Sequence, residues 1–392
     1  MRSHESALTL ADQGALGVSD DVRDASSVYG SPVTASAVTV IDCSGTGTER
    51  GLAHGESLRE QVRDSIARWS DATLSSVGAA TSIEHYCAEF LRRTSLLEAM
   101  ERETPDLLDE VRGIALGAGV AVALVAAYNL MDEQWWHDLP GESAAQPGCS
   151  LVARASGDGM LLAQNMDLPA WMDGSQVVLR LSPPERPQVL VLTSAGMIGL
   201  VGASSAGFAV GVNTLLMLRH DRAGLPVAAA MRAALAADSA ADAVTRLCSV
   251  THASGQHYAV ADRSGVTGLE CSAGGAVVSH PTSRTPLSHT NHPLVSTDID
   301  PDKQRLLSDG GRLRSSHDRL AVVTSDARVG GSSADVGALL RDPTTSVCMR
   351  ASSASSLQTF ASVRCELGAQ TRTTIRFGTA DAGGWQDLTF TS

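Results

Sequence analysis

Gln146-Pro147-Gly148-Cys149-Ser150-Leu151-Val152 is the stretch on which the reading of this 392-residue chain turns. It separates an Asp/Glu/Trp-rich loop from the first of many short strand-like segments, and it contains a Gly-Cys bond. A cut there makes Cys149 a chain start, with a thiol and a free amine on one residue. A thiol titrates at about 8.5 and an α-amine at about 7.7–8.0, so the amine takes the thiol proton directly or through water. No histidine is needed. Gly148 suits self-cleavage, because without a Cβ the backbone is free to strain and the thiol is free to approach its carbonyl. Taken alone the dipeptide says little, since most internal cysteines are inert core residues.

On the N-terminal side of this stretch the chain reads as helix. Residues 1–35 are small and polar without period and are assigned to a mobile leader; Ala37 to Cys43 has the β-branched content of a strand. Leu58, Val62, Ile66 and Trp69 then fall on one helical face, and further helices are predicted at 82–100 and 105–131, the second starting at Pro105 and broken near Gly117–Gly119. Beyond Cys149 strands are predicted at 149–154, 159–165, 176–181, 188–193, 197–201 and 207–213, most naturally as antiparallel sheet. Helices at 226–237 and 240–249 and strands at 257–262, 266–271 and 275–279 follow. A loop-rich section then runs to 315, and helices at 316–324 and 334–341 precede strands at 358–366, 371–378 and 386–391. The fold class is α+β, with the sheet-rich body starting at the suspected cut.

Composition narrows the function. Thirty basic residues against 43 acidic ones give a net charge of −13, which repels nucleic acid and anionic membranes. Lys303 is the sole lysine, so Schiff-base chemistry is discounted. Seven scattered cysteines without a Cys-x-x-Cys pair suit a reduced, cytoplasmic chain. No apolar run reaches the roughly 20 residues of a membrane span. Neither a cofactor nor a metal is expected.

Seven short motifs then carry a resemblance: Gly51-Leu-Ala-His-Gly-Glu-Ser; Gly113-Ile-Ala-Leu-Gly-Ala-Gly-Val before Asn129; Gly148-Cys149-Ser150; Ala163-Gln164-Asn165-Met166-Asp167; Gly199 to Gly207; Asn213-Thr214-Leu215; and His289-Thr290-Asn291-His292. In this order, and from about residue 37 to the C-terminus, the chain resembles peptidase family C45, the isopenicillin-N acyltransferase-like branch of the N-terminal nucleophile hydrolases. The resemblance implies a four-layer αββα sandwich and a precursor that cuts itself between Gly148 and Cys149. Residues 36–148 then form a mostly helical α subunit and 149–392 a sheet-rich β subunit, together one domain and an α/β heterodimer. It further implies Cys149 as nucleophile, Asp167 as the carboxylate that orients the amine, the Asn291 amide and the Thr214 N–H as oxyanion donors, and Arg319 near the site. The substrates it implies are a small-molecule acyl donor, amide or thioester, and an amine or water acceptor, in specialised metabolism. Met166 stands where the family pattern has Trp, and Gln164 where related hydrolases carry Arg; both bear on the pocket wall. Trp135-Trp136-His137 is assigned to core or processing loop in preference to the pocket.

Two rival chemistries have sequence support. Ala203-Ser204-Ser205-Ala206-Gly207 has the form of a serine-hydrolase nucleophile elbow with Ser205 as nucleophile, but an elbow must lead into a helix, and Phe208 to Thr214 reads as a returning strand. His289 and His292 with Asp298 and Asp300 resemble a metal-ligand set, yet the Thr-Asn between the histidines fits the oxyanion assignment better. A pure binding module would have no use for a scissile Gly-Cys bond.

Overall fold

Strand β1 (Val40–Ser44) crosses the boundary that the sequence suggested, because a segment upstream of Cys149 forms the edge of a sheet whose other strands all lie downstream. It pairs in parallel with β4 (Gln176–Ser182), the one departure from antiparallel pairing among the described strands. A computed structural model describes residues 38–77, 82–137, 148–309, 313–353, 356–379 and 383–391. The expected leader at 1–35 and residues 146–147 lie outside these ranges.

The first sheet continues from β4 through β5 (Val189–Ser194), β6 (Val201–Ser204), β7 (Phe208–Thr214), β8 (Gln256–Asp262), β9 (Val266–Ser272) and β10 (Gly275–Ser283). The second runs in the order β11-β2-β3-β12-β13-β14, with β2 at Gly148–Ser156, β3 at Gly159–Pro169, β11 at Leu287–His289, β12 at Leu357–Leu367, β13 at Thr371–Phe377 and β14 at Gln386–Leu388. All eleven residues of β3 are buried. Such burial requires cover on both faces; it fits the apolar run Met160–Ala163, while Gln164, Asn165 and Asp167 are buried with hydrogen-bond partners. One face meets the first sheet through β7 and β8, and the other meets helices.

Closeness between the sheets is set at Gly211, where a Cβ would stand 2.4 Å from the Leu151 side chain. Beside it the Gln164 carboxamide mimics a strand, donating to the Val212 carbonyl (2.5 Å) and accepting from its N–H (3.1 Å). Gln164 therefore stitches the sheets together, a structural duty that its expected place in a pocket wall did not include.

Helices α8 (Val227–Leu235) and α9 (Ala240–Ser249) pack on the first sheet, while α11 (Arg314–Ser325) and α12 (Ser333–Leu340) pack on the second. The N-terminal helices are α1 (Gly47–Ser57), α2 (Arg59–Val77), α3 (Ile83–Arg93), α4 (Leu96–Glu103), α5 (Pro105–Ala118), α6 (Val122–Asn129) and α7 (Met131–His137). The continuous helix expected at 82–100 is two, because Thr94 turns extended and Ser95 N–H bonds to the Arg222 carbonyl (2.7 Å). The 105–131 stretch is likewise divided, ending first at Gly119, whose φ of 66° closes α5. Helix α10 (Pro301–Asp309) lies in the section expected to be loop; among residues 301–308 only Leu307 is buried, too narrow an apolar stripe to read. The strand expected at 197–201 begins only at Val201, since Gly196 turns at φ 97°.

Ser205 occupies an exposed turn between β6 and β7, with Gly207 at φ 89°. The segment therefore leads into a strand, and the nucleophile-elbow geometry that Ser205 would require is absent.

Candidate active site

Cys149 is the second residue of β2, placed where β2 runs alongside the end of β7. Antiparallel pairing with β3 sets Gly148 opposite Asp167 and Cys149 opposite Met166. The hairpin thus returns Asp167 to the Gly148–Cys149 bond. Room there is tight: a Cβ on Gly148 would meet Asp167 Cβ at 2.9 Å, Met349 Sδ at 3.1 Å and Asp167 Oδ2 at 3.2 Å.

Both sides of the Cys149 peptide unit are held. Its N–H donates to Asn291 Oδ1 (2.7 Å), and its carbonyl accepts from Arg319 Nη1. Arg319 Nη2 also donates to Asn291 Oδ1 (3.0 Å), so strand β2, the 289–292 loop and helix α11 converge on one residue. Asn291 Nδ2 donates to the Thr214 carbonyl (3.1 Å). Leu215 N–H bonds to Gly255 O (2.8 Å), so by the alternation of an antiparallel ladder the Thr214↔Gln256 pair is the open kind, and Thr214 turns its N–H and C=O away from β8 towards Asn291. All five residues singled out from the sequence, Cys149, Asp167, Thr214, Asn291 and Arg319, therefore meet. One contact differs from expectation: Thr214 touches Asn291 through its carbonyl, not its N–H.

The electrostatics follow from burial. Burial pushes the Cys149 thiol up to about 12; the nearby Asp167 charge adds to this, while the Asp167 main-chain N–H and Arg319 oppose it. Burial likewise raises the Asp167 carboxyl to about 7 against the opposing pull of Arg319 and Thr359. Asp167 Oδ1 accepts from Thr359 (2.8 Å), whereas Oδ2 is buried without a partner. A carboxyl titrating near neutrality beside a thiol is suited to general-base work.

Two cavities flank this cluster. One, about 50 Å³, holds the Cys149 side chain and is lined by four methionines (131, 166, 197 and 231) and Trp135. Trp135 is thus a wall of this pocket as well as core, contrary to its sequence assignment; its neighbour Trp136 stacks on His220 at 4.3 Å. The other, about 280 Å³, is more open and is bordered by Asn291, Arg319, Ser316 and Arg350. A larger opening of about 690 Å³ near Arg50 and Arg246 touches none of the five residues.

Sequence reading missed the groups that hold the Asn291 loop. Glu270, fully buried on β9, accepts from His289 Nε2 (3.1 Å) on one flank of Asn291 and from the N–H groups of Leu294 (2.6 Å) and Ser296 (2.7 Å) on the other. Ser316 accepts from Asn291 N–H (2.8 Å) and contacts His292 Nδ1 (2.8 Å). Asp298 bonds instead to Arg219 and to Ser272 (2.6 Å). The histidines and Asp298, weighed above as metal ligands, are committed to shaping this loop and its surroundings. A lone glutamate in an apolar strand was the available signal for Glu270.

Residues 154–380 match the family described as "Acyl-coenzyme A:6-aminopenicillanic acid acyl-transferase", more than half of the chain. The chain belongs to this family. Among curated proteins it is 28% identical over 257 residues to "Acyl-coenzyme A:6-aminopenicillanic-acid-acyltransferase 40 kDa form" of Emericella nidulans, covering 65% of this chain and 70% of that protein. Among solved structures it is similar to penicillin V acylase from Agrobacterium tumefaciens, at 15% identity and TM-score 0.37 over 61% of this chain and 86% of that one. A variant of conjugated bile acid hydrolase from Clostridium perfringens matches at 12% identity and TM-score 0.36, over 62% and 97% of the respective chains. Membership of this acyl-transfer family implies an acyl donor and an acceptor.

Proposed function

We propose that this chain is a self-processing cysteine N-terminal nucleophile enzyme that takes an acyl group from a small amide or thioester and passes it to an amine or to water, in specialised metabolism. Its scaffold is read as a four-layer αββα sandwich, with 36–148 the α part and 149–392 the β part of a heterodimer. The supporting observation is the placement of one bond: Gly148–Cys149 opens β2 opposite Asp167, with the Cys149 N–H on Asn291 and its carbonyl on Arg319.

In self-cleavage, Asp167 takes the thiol proton and Cys149 Sγ bonds to the Gly148 carbonyl carbon. The C–N bond breaks, and its nitrogen, gaining a proton, becomes the Cys149 amine. Water then hydrolyses the thioester, which frees the Gly148 carboxylate and restores the thiol. In turnover the amine takes the thiol proton, and Sγ attacks the donor carbonyl while Asn291 Nδ2 and the Thr214 N–H face the oxyanion. The leaving amine or thiol departs with that proton. An incoming amine or water cleaves the acyl thioester, with the proton passing back through the Cys149 amine to sulfur. Family likeness favours N-acyl compounds such as peptide-like or β-lactam-like amides.

Intact-mass measurement of the purified protein tests this reading. Two chains, one ending at Gly148 and one beginning at Cys149, are expected from the wild type, and one inactive chain from Cys149→Ala. A single unbroken wild-type chain with full activity would overturn the reading.

A further inference from the structure

The methionine-lined cavity at Cys149 is mostly apolar, and Asp132, Thr214 and Gln256 form a polar cluster in its wall. There Thr214 Oγ1 donates to Asp132 Oδ1 (3.0 Å) and Gln256 Nε2 donates to Asp132 Oδ2 (2.5 Å). Because a carboxylate only accepts, the Gln256 amide must point its nitrogen at Asp132, and its Oε1 is left buried without a partner. The unused hydrogen-bonding sites on the Asp132, Thr214 and Gln256 side chains are therefore all lone pairs. Among the described residues, the lining contains no lysine, arginine or histidine. Glu133, adjacent in α7, adds a second buried carboxyl behind the first, and its Oε2 is also unpartnered.

An orphaned buried acceptor beside a carboxylate is costly to leave unsatisfied and selects a ligand with N–H donors and positive charge. Burial raises the Asp132 carboxyl above the usual carboxylate range, and a cationic ligand beside it would favour its charged form. The position of the acids also limits chain length. Asp132 is joined to the cysteine through Thr214 and Asn291, a relay of three hydrogen bonds. A cavity of about 50 Å³ agrees with a short occupant, and flexible methionine side chains allow modest enlargement.

Resting on the reading that Cys149 forms an acyl-enzyme, we propose that this cavity holds the acyl group, and that Asp132 and Gln256 select a short acyl chain bearing a protonated amine a few carbons from its carbonyl. The group on sulfur must stay shielded while one amine leaves and another enters. The less open cavity accordingly suits the acyl part, and the more open one beside Asn291 and Arg319 suits the exchanging amine.

Three p-nitroanilides of near-equal size separate the possibilities: β-alanyl, butyryl and succinyl, which end in an ammonium, a methyl and a carboxylate. With the purified wild-type protein, release of p-nitroaniline is expected to be at least about tenfold faster in kcat/KM for β-alanyl than for butyryl, and slowest for succinyl. Mass spectrometry should find the β-alanyl adduct on Cys149. Asp132→Asn is expected to bring the β-alanyl to butyryl ratio near one. Adducts on Cys149 formed from butyryl or succinyl as readily as from β-alanyl would overturn the amine selectivity and leave the catalytic reading standing. No adduct from any of the three would overturn both.

Discussion

Gly148 has no room for a methyl group, and that single fact ties cleavage chemistry to local packing. Gly148→Ala is expected to cost about 1–3 kcal/mol in stability through overpacking. It should also slow self-cleavage, because relief requires Asp167 or Met349 to move; a time course of intact mass would read this, and processing at the wild-type rate would mean that the Asp167 geometry is not needed. Asn291 joins Cys149, Arg319 and Thr214, so Asn291→Ala should lower kcat about 10²- to 10³-fold with little change in KM, the scale of losing one oxyanion donor. Stability should fall by only about 1–3 kcal/mol from the partners left unpaired. Turnover near wild type would remove Asn291 from the reaction. Not every motif residue acts on substrate. Asn129 spends its amide on the Val125 and Gly196 carbonyls (2.9 Å each) and accepts from Ile198 N–H (2.8 Å). His54 accepts from Gly196 N–H (3.0 Å), and Asn165 binds the Leu340 and Val347 carbonyls. These motif positions are latches for backbone that would otherwise be buried unsatisfied.

Helices α1 and α5 meet through glycines. A Cβ on Gly51 would lie 2.1 Å from the Glu110 carbonyl oxygen and 2.8 Å from Gly113 Cα, and one on Gly117 would lie 2.7 Å from the Leu52 carbonyl oxygen. The glycine spacing in the first two motifs thus records a helix-to-helix approach and says nothing of catalysis. Gly51→Ala should destabilise by about 1–3 kcal/mol or more, whereas Gly330→Ala, with nothing within 4 Å of its Cβ, should stay within about 0.5 kcal/mol. Equal denaturant midpoints for the two variants would contradict this account. The same helix pair is joined to α8 by a buried ion cluster. Glu110 accepts from Arg50 (2.9 Å) and from both terminal nitrogens of Arg232 (2.7 and 2.9 Å). Removing the one carboxylate strands the buried Arg232 guanidinium and leaves Arg50 with Asp106 as its remaining carboxylate, so Glu110→Ala should cost about 3–5 kcal/mol by chemical denaturation. The cluster joins two elements upstream of the proposed cut to one downstream, which favours the two parts staying together.

At the scale of the whole molecule, the buried titratable groups among the described residues set the pH dependence of stability. Burial lowers five histidines, to about 4 for His54 and His292 and well below the ordinary value for His220 and His257, with His252 also lowered. Each takes up a proton on unfolding, so its contribution is present above pH 6.5 and is lost as pH falls towards the folded value. Three carboxyls act oppositely: Asp132, Glu133 and Asp167 are raised to about 6, 7 and 7, mainly by burial, so their contribution is full at low pH and is lost as pH rises through those values. Below pH 6.5 the five histidines outweigh the three carboxyls, and above it only the carboxyls still change. Tm is therefore expected to peak near pH 6.5, fall steeply towards pH 4 and decline gently towards pH 8. A Tm that climbs steadily from pH 6.5 to 8 would contradict the raised carboxyls.

What the sequence by itself determined is local in origin. Periodicity and turn residues located most helices and strands, and the Gly-Cys bond with its ordered motifs marked out five residues that the fold brings together. Parallel pairing of β1 with β4, the glycine contact of α1 with α5, Gln164 bridging two sheets, and Glu270 and Asp132 behind the site were decided only by tertiary structure. Each depends on which surfaces lie against one another across long sequence separations, and no spacing within a single segment encodes that. A buried carboxylate looks like any other acidic residue until the chain has closed around it.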